Sequence, residues 1–133
     1  MNTLSDKEKI KAIKAAPKLN AGGSMEVTIN GQVTVTAREM YILGRPDKGF
    51  VAFIKEGQGA VIVQFPMLVE AGTYEIDKYD IWIELDYNGL EDVAKTGVLT
   101  LETLVPQKLY KGSFDVKTID HQKVDGVFEV RII

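Results

Sequence analysis

The side chains that most often carry out chemistry in proteins are scarce in this chain of 133 residues. It contains no cysteine, which excludes disulfide frameworks, thiolate zinc sites and cysteine nucleophiles. The single histidine, His121, lies in a predicted turn, whereas a catalytic base must lie within hydrogen-bond reach of its substrate. We therefore predict no catalytic residue and no enzymatic activity.

Oxygen ligands gather between Asp86 and Asp92, around Gly89. Calcium takes about six to eight oxygens, often from such a loop, but the acid that closes an EF-hand loop is missing at the required spacing. The glycine-bearing stretches 44–49 and 57–59 are not followed by a helix, which a phosphate-binding loop requires. The sequence therefore predicts neither a metal site nor a cofactor.

The single tryptophan marks the best candidate for a binding surface. Alternation places Ile81, Ile83 and Leu85 on one face of a strand and Trp82 on the other, polar face. An exposed aromatic side chain flanked by carboxylates is typical of a platform for a sugar or a peptide. The candidate ligand-binding residues are Trp82, Tyr79, Glu84 and Asp86.

A second interpretation gives Trp82 a role in packing. Ser5 and Glu8 form a capping box at the start of a short predicted helix, in which Ile10 and Ile13 make a narrow apolar stripe. A helix this short is marginal in water and needs an apolar surface on which to dock. In this interpretation the helix covers Trp82.

From Met25 onward the apolar pattern has a period of two, which is typical of strands packed on one face. The predicted strands are 25–29, 33–37, 40–43, 50–55, 60–65, 73–76, 81–87, 98–104, 109–119 and 123–132. Such short strands between Gly, Pro and Asn predict an antiparallel all-β domain, either a two-sheet sandwich of about eight or nine strands or, alternatively, a closed barrel. Residues 1–24 are expected to form an N-terminal helix or arm with a flexible hinge at 20–24, and residues 25–133 a single β domain.

Asn30-Gly31 is a strong signal for the first hairpin. A two-residue loop would place the apolar side chains of its two strands on opposite faces. We therefore expect a three-residue loop in which Thr28 pairs with Gln32 and Gly31 takes the left-handed conformation.

The last hairpin can be registered from its aromatic and charged residues. Pairing Phe114 with Phe128 places both rings on one face and sets Lys117 opposite Asp125, which is favourable, but Lys111 opposite Arg131, which is not. The loop is then 120–122. This register is our prediction for the hairpin.

Charge and hydropathy limit the partners that we expect. The formal net charge is −3 and the basic residues are scattered, so we expect no nucleic-acid binding. The N-terminus lacks the apolar segment of a signal peptide and no apolar run approaches membrane-spanning length, so we expect a cytoplasmic location and no membrane insertion. The last two residues, Ile132 and Ile133, are apolar and could contact a second copy of the chain in a homo-oligomer.

One pattern of five residues occurs three times: glycine, any residue, an aromatic residue, an acid and an aliphatic residue. It is found at Gly72–Ile76, Gly112–Val116 and Gly126–Val130. In this pattern the stretch from Gly72 to the end resembles small bacterial β-sandwich domains of uncharacterised function, often found as lipoproteins. The chain lacks the lipobox cysteine of such lipoproteins, and the resemblance implies the fold but no activity and no site.

We therefore expect a non-enzymatic binding or interaction module, with a protein partner or small ligand that the sequence does not identify. One alternative is a carbohydrate-binding β-sandwich that uses Trp82 and Tyr79. Another is a lipocalin-like barrel that carries a small apolar ligand in its interior.

Overall fold

The computed structural model describes residues 18–43, 49–54, 59–64, 70–87, 90–105 and 108–132. These residues form nine strands: β1 (Lys18–Ile29), β2 (Val33–Leu43), β3 (Gly49–Ile54), β4 (Gly59–Gln64), β5 (Gly72–Glu75), β6 (Trp82–Tyr87), β7 (Leu90–Val105), β8 (Leu109–Thr118) and β9 (Lys123–Ile132). The prediction of an all-β fold is confirmed. In the described part of the chain, no helix has the length and apolarity needed to cross a membrane.

Eight of these strands close into an antiparallel barrel. Around the barrel the order is β1, β2, β3, β4, β6, β7, β8 and β9, and β9 pairs back with β1. Strand β5 stands outside this series and pairs with β7 alongside β6. The architecture is thus the barrel that the sequence analysis offered as the alternative to a sandwich, and closure removes the open sheet edges at which chains aggregate.

The barrel interior is apolar. Its largest side chains include those of Met25, Ile42, Phe50, Leu99 and Phe128. None of the core residues that the structure describes is more than 7% exposed. The described side chains therefore form a buried apolar core inside the barrel.

The predicted register of the last hairpin is wrong: each residue of β8 pairs with a residue of β9 that lies two positions before the predicted partner. Phe114 lies opposite Gly126, and Phe128 lies opposite Gly112. A Cβ atom on Gly126 would lie 2.6 Å from the Phe114 ring, and one on Gly112 would lie 3.1 Å from the Phe128 ring. Each ring thus occupies the space that the opposite glycine leaves free, which explains the repeated glycine–aromatic pattern.

This register also places like charges opposite each other on the outer face. Asp115 faces Asp125, and Lys117 faces Lys123. Like charges in direct opposition destabilise a strand pair by less than about 1 kcal/mol, whereas emptying a buried phenylalanine site costs about 3–5 kcal/mol. Interior packing of the two rings therefore determines the register.

The first hairpin follows the prediction in its loop length but not in its register. The loop is Asn30-Gly31-Gln32, and Thr28 pairs with Thr34 instead of Gln32. Asn30 and Gly31 have φ angles of 54° and 67°, so both central residues of the turn are left-handed. A turn of this kind matches the right-handed twist of the flanking strands. The left-handed Gly31 is confirmed.

The predicted hinge at 20–24 is wrong, because β1 begins at Lys18 and includes these residues. Gly23 has a φ of 117° and lies opposite Val130, where a Cβ atom would lie 1.9 Å from the carbonyl oxygen of Glu129. Gly23 therefore allows a close contact with β9, and the segment belongs to a strand whose pairing with β2 is irregular between Ala21 and Met25. The predicted helix around Ile10 lies outside the described residues.

Strand β7 is longer than predicted. The prediction began at Val98, whereas the strand begins at Leu90 and spans 16 residues. Its first part pairs with β6, and nearly its whole remaining length pairs with β8. Bulges at Lys95 and Glu102 interrupt the alternation, and the one at Lys95 separates the missed first half of the strand from the predicted part.

Candidate functional site

The predicted aromatic platform is divided between a strand and a turn. Trp82, Glu84 and Asp86 lie on the outer face of β6, as the alternation predicted. The Trp82 indole Nε1 donates a hydrogen bond to Glu84 Oε1 at 3.2 Å. Glu84 has no exposed surface, so its carboxylate lies against the protein beside the indole. Asp86 is half-buried.

Tyr79, the remaining predicted platform residue, lies in the turn before β6 and is 51% exposed. Its ring packs edge-on against Tyr74 with 5.1 Å between ring centroids. In the same turn Lys78 forms an ion pair with Glu75 at 2.6 Å. The structure therefore brings Trp82 and Glu84 together and places Tyr79 with Tyr74.

Trp82 borders a second apolar cluster, on the outer face of the barrel. Val51, Ala60 and Ile62 point outward from β3 and β4, yet none of them has exposed surface. Trp82 and Tyr41 pack against this group from either side. We call these five residues the outer apolar cluster. Trp82 thus lies in an apolar setting, although it faces away from the barrel interior.

The turn that carries His121 is held by a buried carboxylate. Asp92 accepts hydrogen bonds from the backbone nitrogens of Val93 and Asp120, at 3.0 and 3.3 Å, and from Gln122 Nε2 at 2.8 Å. His121 lies exposed in this turn with a φ of 63°. Asp92 therefore attaches the turn between β8 and β9 to β7, because protein donors engage both its oxygens.

Among the residues that the structure describes, no three histidine, cysteine, aspartate or glutamate side chains are grouped so that they could hold a metal ion.

A groove that sequence reasoning missed lies on the outer face of β7, β8, β9 and β1. It has a volume of about 280 Å³ and opens to solvent. Its lining residues are Ser24, Glu26, Glu102, Lys111, Gly112, Val127, Phe128 and Glu129. We call this feature the outer groove.

Irregular pairing shapes the outer groove on both sides. On β7, Leu101 pairs with Gly112 and Thr103 with Lys111, so Glu102 is an extra residue in a bulge. On β1, the pairing with β2 is irregular between Ala21 and Met25. Bulges bend a strand and re-aim its side chains, and they are frequent beside functional sites. Both irregularities lie beside the groove, at Ser24 on β1 and at Glu102 on β7.

Charged side chains surround an exposed apolar centre in the outer groove. Val127 is 58% exposed and lies directly opposite Glu26. Lys111 lies opposite Glu129, and Glu102 stands beside it in the bulge. The sequence carried one signal for this site: Val127 is apolar at a position where alternation requires an outward side chain. The wrong hairpin register, which set Lys111 opposite Arg131, concealed the rest.

No protein-family model, curated protein or solved structure matches this chain. Its function must therefore be inferred from the geometry of its surfaces.

Proposed function

We propose that this protein is a non-enzymatic binding module that takes its ligand in the outer groove. The observation that carries the proposal is the combination in one depression of an exposed apolar residue, Val127, with the charged side chains of Glu26, Glu102, Lys111 and Glu129. An apolar centre with a few convergent polar groups is the usual composition of a binding site.

The scaffold beneath the groove supports this proposal. The groove residues lie on paired strands of the barrel, with β9 between β1 and β8. Sites built on strands are held more accurately than sites on loops. Beneath them, Phe114 and Phe128 are packed against glycines. The barrel therefore presents the groove as a preformed surface.

Two other functions each retain one supporting observation. The 51% exposure of Tyr79 supports the carbohydrate hypothesis, in which this ring and Trp82 would contact a sugar. The closed barrel supports the lipocalin-like carrier, because an eight-stranded barrel is wide enough for its own side chains or for one small ligand. Native mass spectrometry of the purified protein tests the carrier directly, since a bound apolar ligand would add mass.

A fragment titration monitored by two-dimensional ¹H–¹⁵N NMR tests the groove. The panel contains N-acetyl-lysine amide, N-acetyl-glutamate amide, N-acetyl-leucine amide and a set of simple sugars. We expect at least one fragment to shift the amide signals of Lys111, Gly112, Val127 and Glu129 while leaving the Trp82 indole signal in place.

Two exposed valines provide a matched pair of variants. Val127→Ser should reduce these shifts several-fold, whereas Val33→Ser should leave them unchanged, because Val33 is 42% exposed but lies outside the groove. A panel in which no fragment moves the groove signals would contradict the proposal. Shifts confined to Trp82 and Tyr79 on addition of a sugar would replace it with the carbohydrate hypothesis.

A further inference from the structure

We infer that the ligand of the outer groove is an extended segment of a protein partner that carries lysine or arginine at alternate positions. This inference rests on the binding function proposed above and names the chemistry of the ligand. It follows from the charge of the groove, from its apolar centre and from the arrangement of charges along β8 and β9.

The charge of the groove favours a cation. Three carboxylates, those of Glu26, Glu102 and Glu129, line it beside the single ammonium group of Lys111. In the described part of the chain, Lys111 makes no ion pair with any of them, and the only ion pair that the structure gives there joins Lys78 to Glu75. The groove therefore presents a net negative charge that an incoming cation would meet.

The apolar centre favours a cation on an aliphatic stem. Val127 faces Glu26 across the strand pair, and Glu129 lies two residues further along β9. Neighbouring strands lie about 4.8 Å apart and residues two apart on a strand are separated by about 6.8 Å, so both carboxylates are within a lysine side chain's length of the valine. Lysine and arginine bury their stems on apolar surface and keep their charged heads at its edge.

The charges along β8 and β9 are segregated by sign, which indicates where a second cation belongs. One row beyond Val127, Asp115 and Asp125 face each other, and one row further Lys117 faces Lys123. Opposed like charges destabilise the strand pair and leave each group without compensation from its neighbour. A cation of the partner above the aspartate pair would compensate both carboxylates. The lysine pair in the next row would repel a further cation, so the basic part of the partner segment would end there.

The open shape of the groove favours a segment of a chain over a free amine. A small ligand is usually bound in a pocket that covers most of its surface. The outer groove opens to solvent along the face of the barrel, and outside its lining the Asp115–Asp125 pair lies in the row next to that of Val127 and Glu26. An extended peptide places alternate side chains on one side with a repeat of about 6.8 Å, which matches the spacing of these rows.

Peptide titrations test the inference. The probes are the blocked pentapeptide Gly-Lys-Ala-Lys-Gly, its glutamate counterpart, its single-lysine counterpart Gly-Lys-Ala-Ala-Gly, and spermidine, each followed by the amide shifts of the groove. We expect the two-lysine peptide to bind, to bind more tightly than the single-lysine peptide, and to weaken as salt is added, because exposed charges are screened.

Charge-removing variants locate the two cations. The double variant Glu26→Gln, Glu129→Gln should weaken the two-lysine peptide by up to about tenfold, the scale expected for losing two solvent-exposed ion pairs. The double variant Asp115→Asn, Asp125→Asn should abolish the advantage of the second lysine and leave the single-lysine peptide unaffected. Glu91→Gln removes one exposed carboxylate elsewhere on the barrel and should change neither affinity.

The outcomes separate this inference from the proposal beneath it. Binding of the glutamate peptide or of a neutral fragment at the groove, without the lysine peptide, would overturn the cationic ligand and leave the binding module intact. Spermidine binding as tightly as the two-lysine peptide would overturn the protein segment. Failure of every peptide and fragment to shift the groove signals would overturn both.

Discussion

The two outer faces of this barrel differ sharply, although the same kind of strand pairing builds both. Ile62 on β4 and Val127 on β9 each point outward from the middle of a paired strand. Ile62 has no exposed surface and belongs to the outer apolar cluster, whereas Val127 is 58% exposed and lies among charged residues. A side chain that points outward from the barrel is therefore not always exposed to water: one face carries the outer apolar cluster, and the other carries the outer groove.

The acidic residues show the same contrast. Glu84 and Glu129 both face outward, and each lies on a strand that pairs with a neighbour on either side. Glu84 is fully buried and accepts a hydrogen bond from Trp82, whereas the carboxylate of Glu129 lines the open groove. Burying an ionised carboxylate requires compensating hydrogen bonds. Glu84 is thus a structural group, and Glu129 remains available to a ligand.

The largest difference between the faces is expected in stability. Ile62→Ala should lower the free energy of unfolding by about 2–5 kcal/mol, because it removes buried apolar atoms and leaves a cavity. Val127→Ala should change it by less than about 0.5 kcal/mol, because most of the side chain is already in water. Chemical denaturation followed by far-UV circular dichroism measures both, and equal effects would mean that the two faces are alike in solution.

A smaller effect is expected from the two glutamates. Glu84→Ala leaves the Trp82 indole without this acceptor in a buried setting and should cost about 1–3 kcal/mol. Glu84→Gln keeps an acceptor oxygen and should recover part of the loss. Glu129→Ala should have a smaller effect than Glu84→Ala, because Glu129 is only half-buried and lines the open groove. Thermal unfolding of the three variants ranks them, and a neutral Glu84→Ala would contradict a structural role.

Sequence periodicity was sufficient to predict which side chains point into the barrel and which point outward. It was not sufficient to predict which outward side chains are buried. The alternation around Trp82 correctly assigned it to the outer face of β6. It could not predict that Val51, Ala60 and Ile62 would be buried on the outer face. Their strands are continuous apolar runs, and such a run fits a fully buried strand or a half-buried strand equally well.

Register was lost for a different reason. The prediction treated Phe114 and Phe128 as partners and the charges outside as the deciding pairs. In the structure each ring packs on a glycine of the opposite strand, Gly126 or Gly112, and like charges are tolerated outside. The lack of a side chain at Gly112 and Gly126 therefore determines the register of the last hairpin. The outer groove depends on that register and on the bulge at Glu102, so the sequence pattern did not reveal it.

The outer apolar cluster also makes a prediction about the N-terminal segment, which lies outside the described residues. If Ile10 and Ile13 cover Trp82, deleting residues 1–16 should shift the tryptophan emission to the red and reduce stability by about 25 cal/mol for each Å² of apolar surface uncovered. The single tryptophan reports this site alone. Red emission from the full-length protein, unchanged by the deletion, would show instead that Trp82 is open to a ligand.

The smallest expected effect concerns Tyr41, at the edge of the outer apolar cluster. Its hydroxyl donates a hydrogen bond to Glu39 Oε1, and this bond, together with burial and the nearby negative charge, raises the pKa of Tyr41 above its ordinary value of 10.0. A raised pKa in the folded protein means that the contribution to stability is complete below pH 10.0 and is lost as the pH rises through the folded-state pKa. Near-ultraviolet absorbance of tyrosinate, taken as the difference between the protein and its Tyr41→Phe variant, isolates the titration of this group.

Glu39→Gln should lower the Tyr41 pKa toward 10.0, because it removes the charged acceptor. Glu91→Gln is the same change on a distant strand and should leave the Tyr41 titration unchanged. A Tyr41 titration that is insensitive to Glu39→Gln would show that burial beside the apolar cluster, and not the carboxylate, controls this edge of the face.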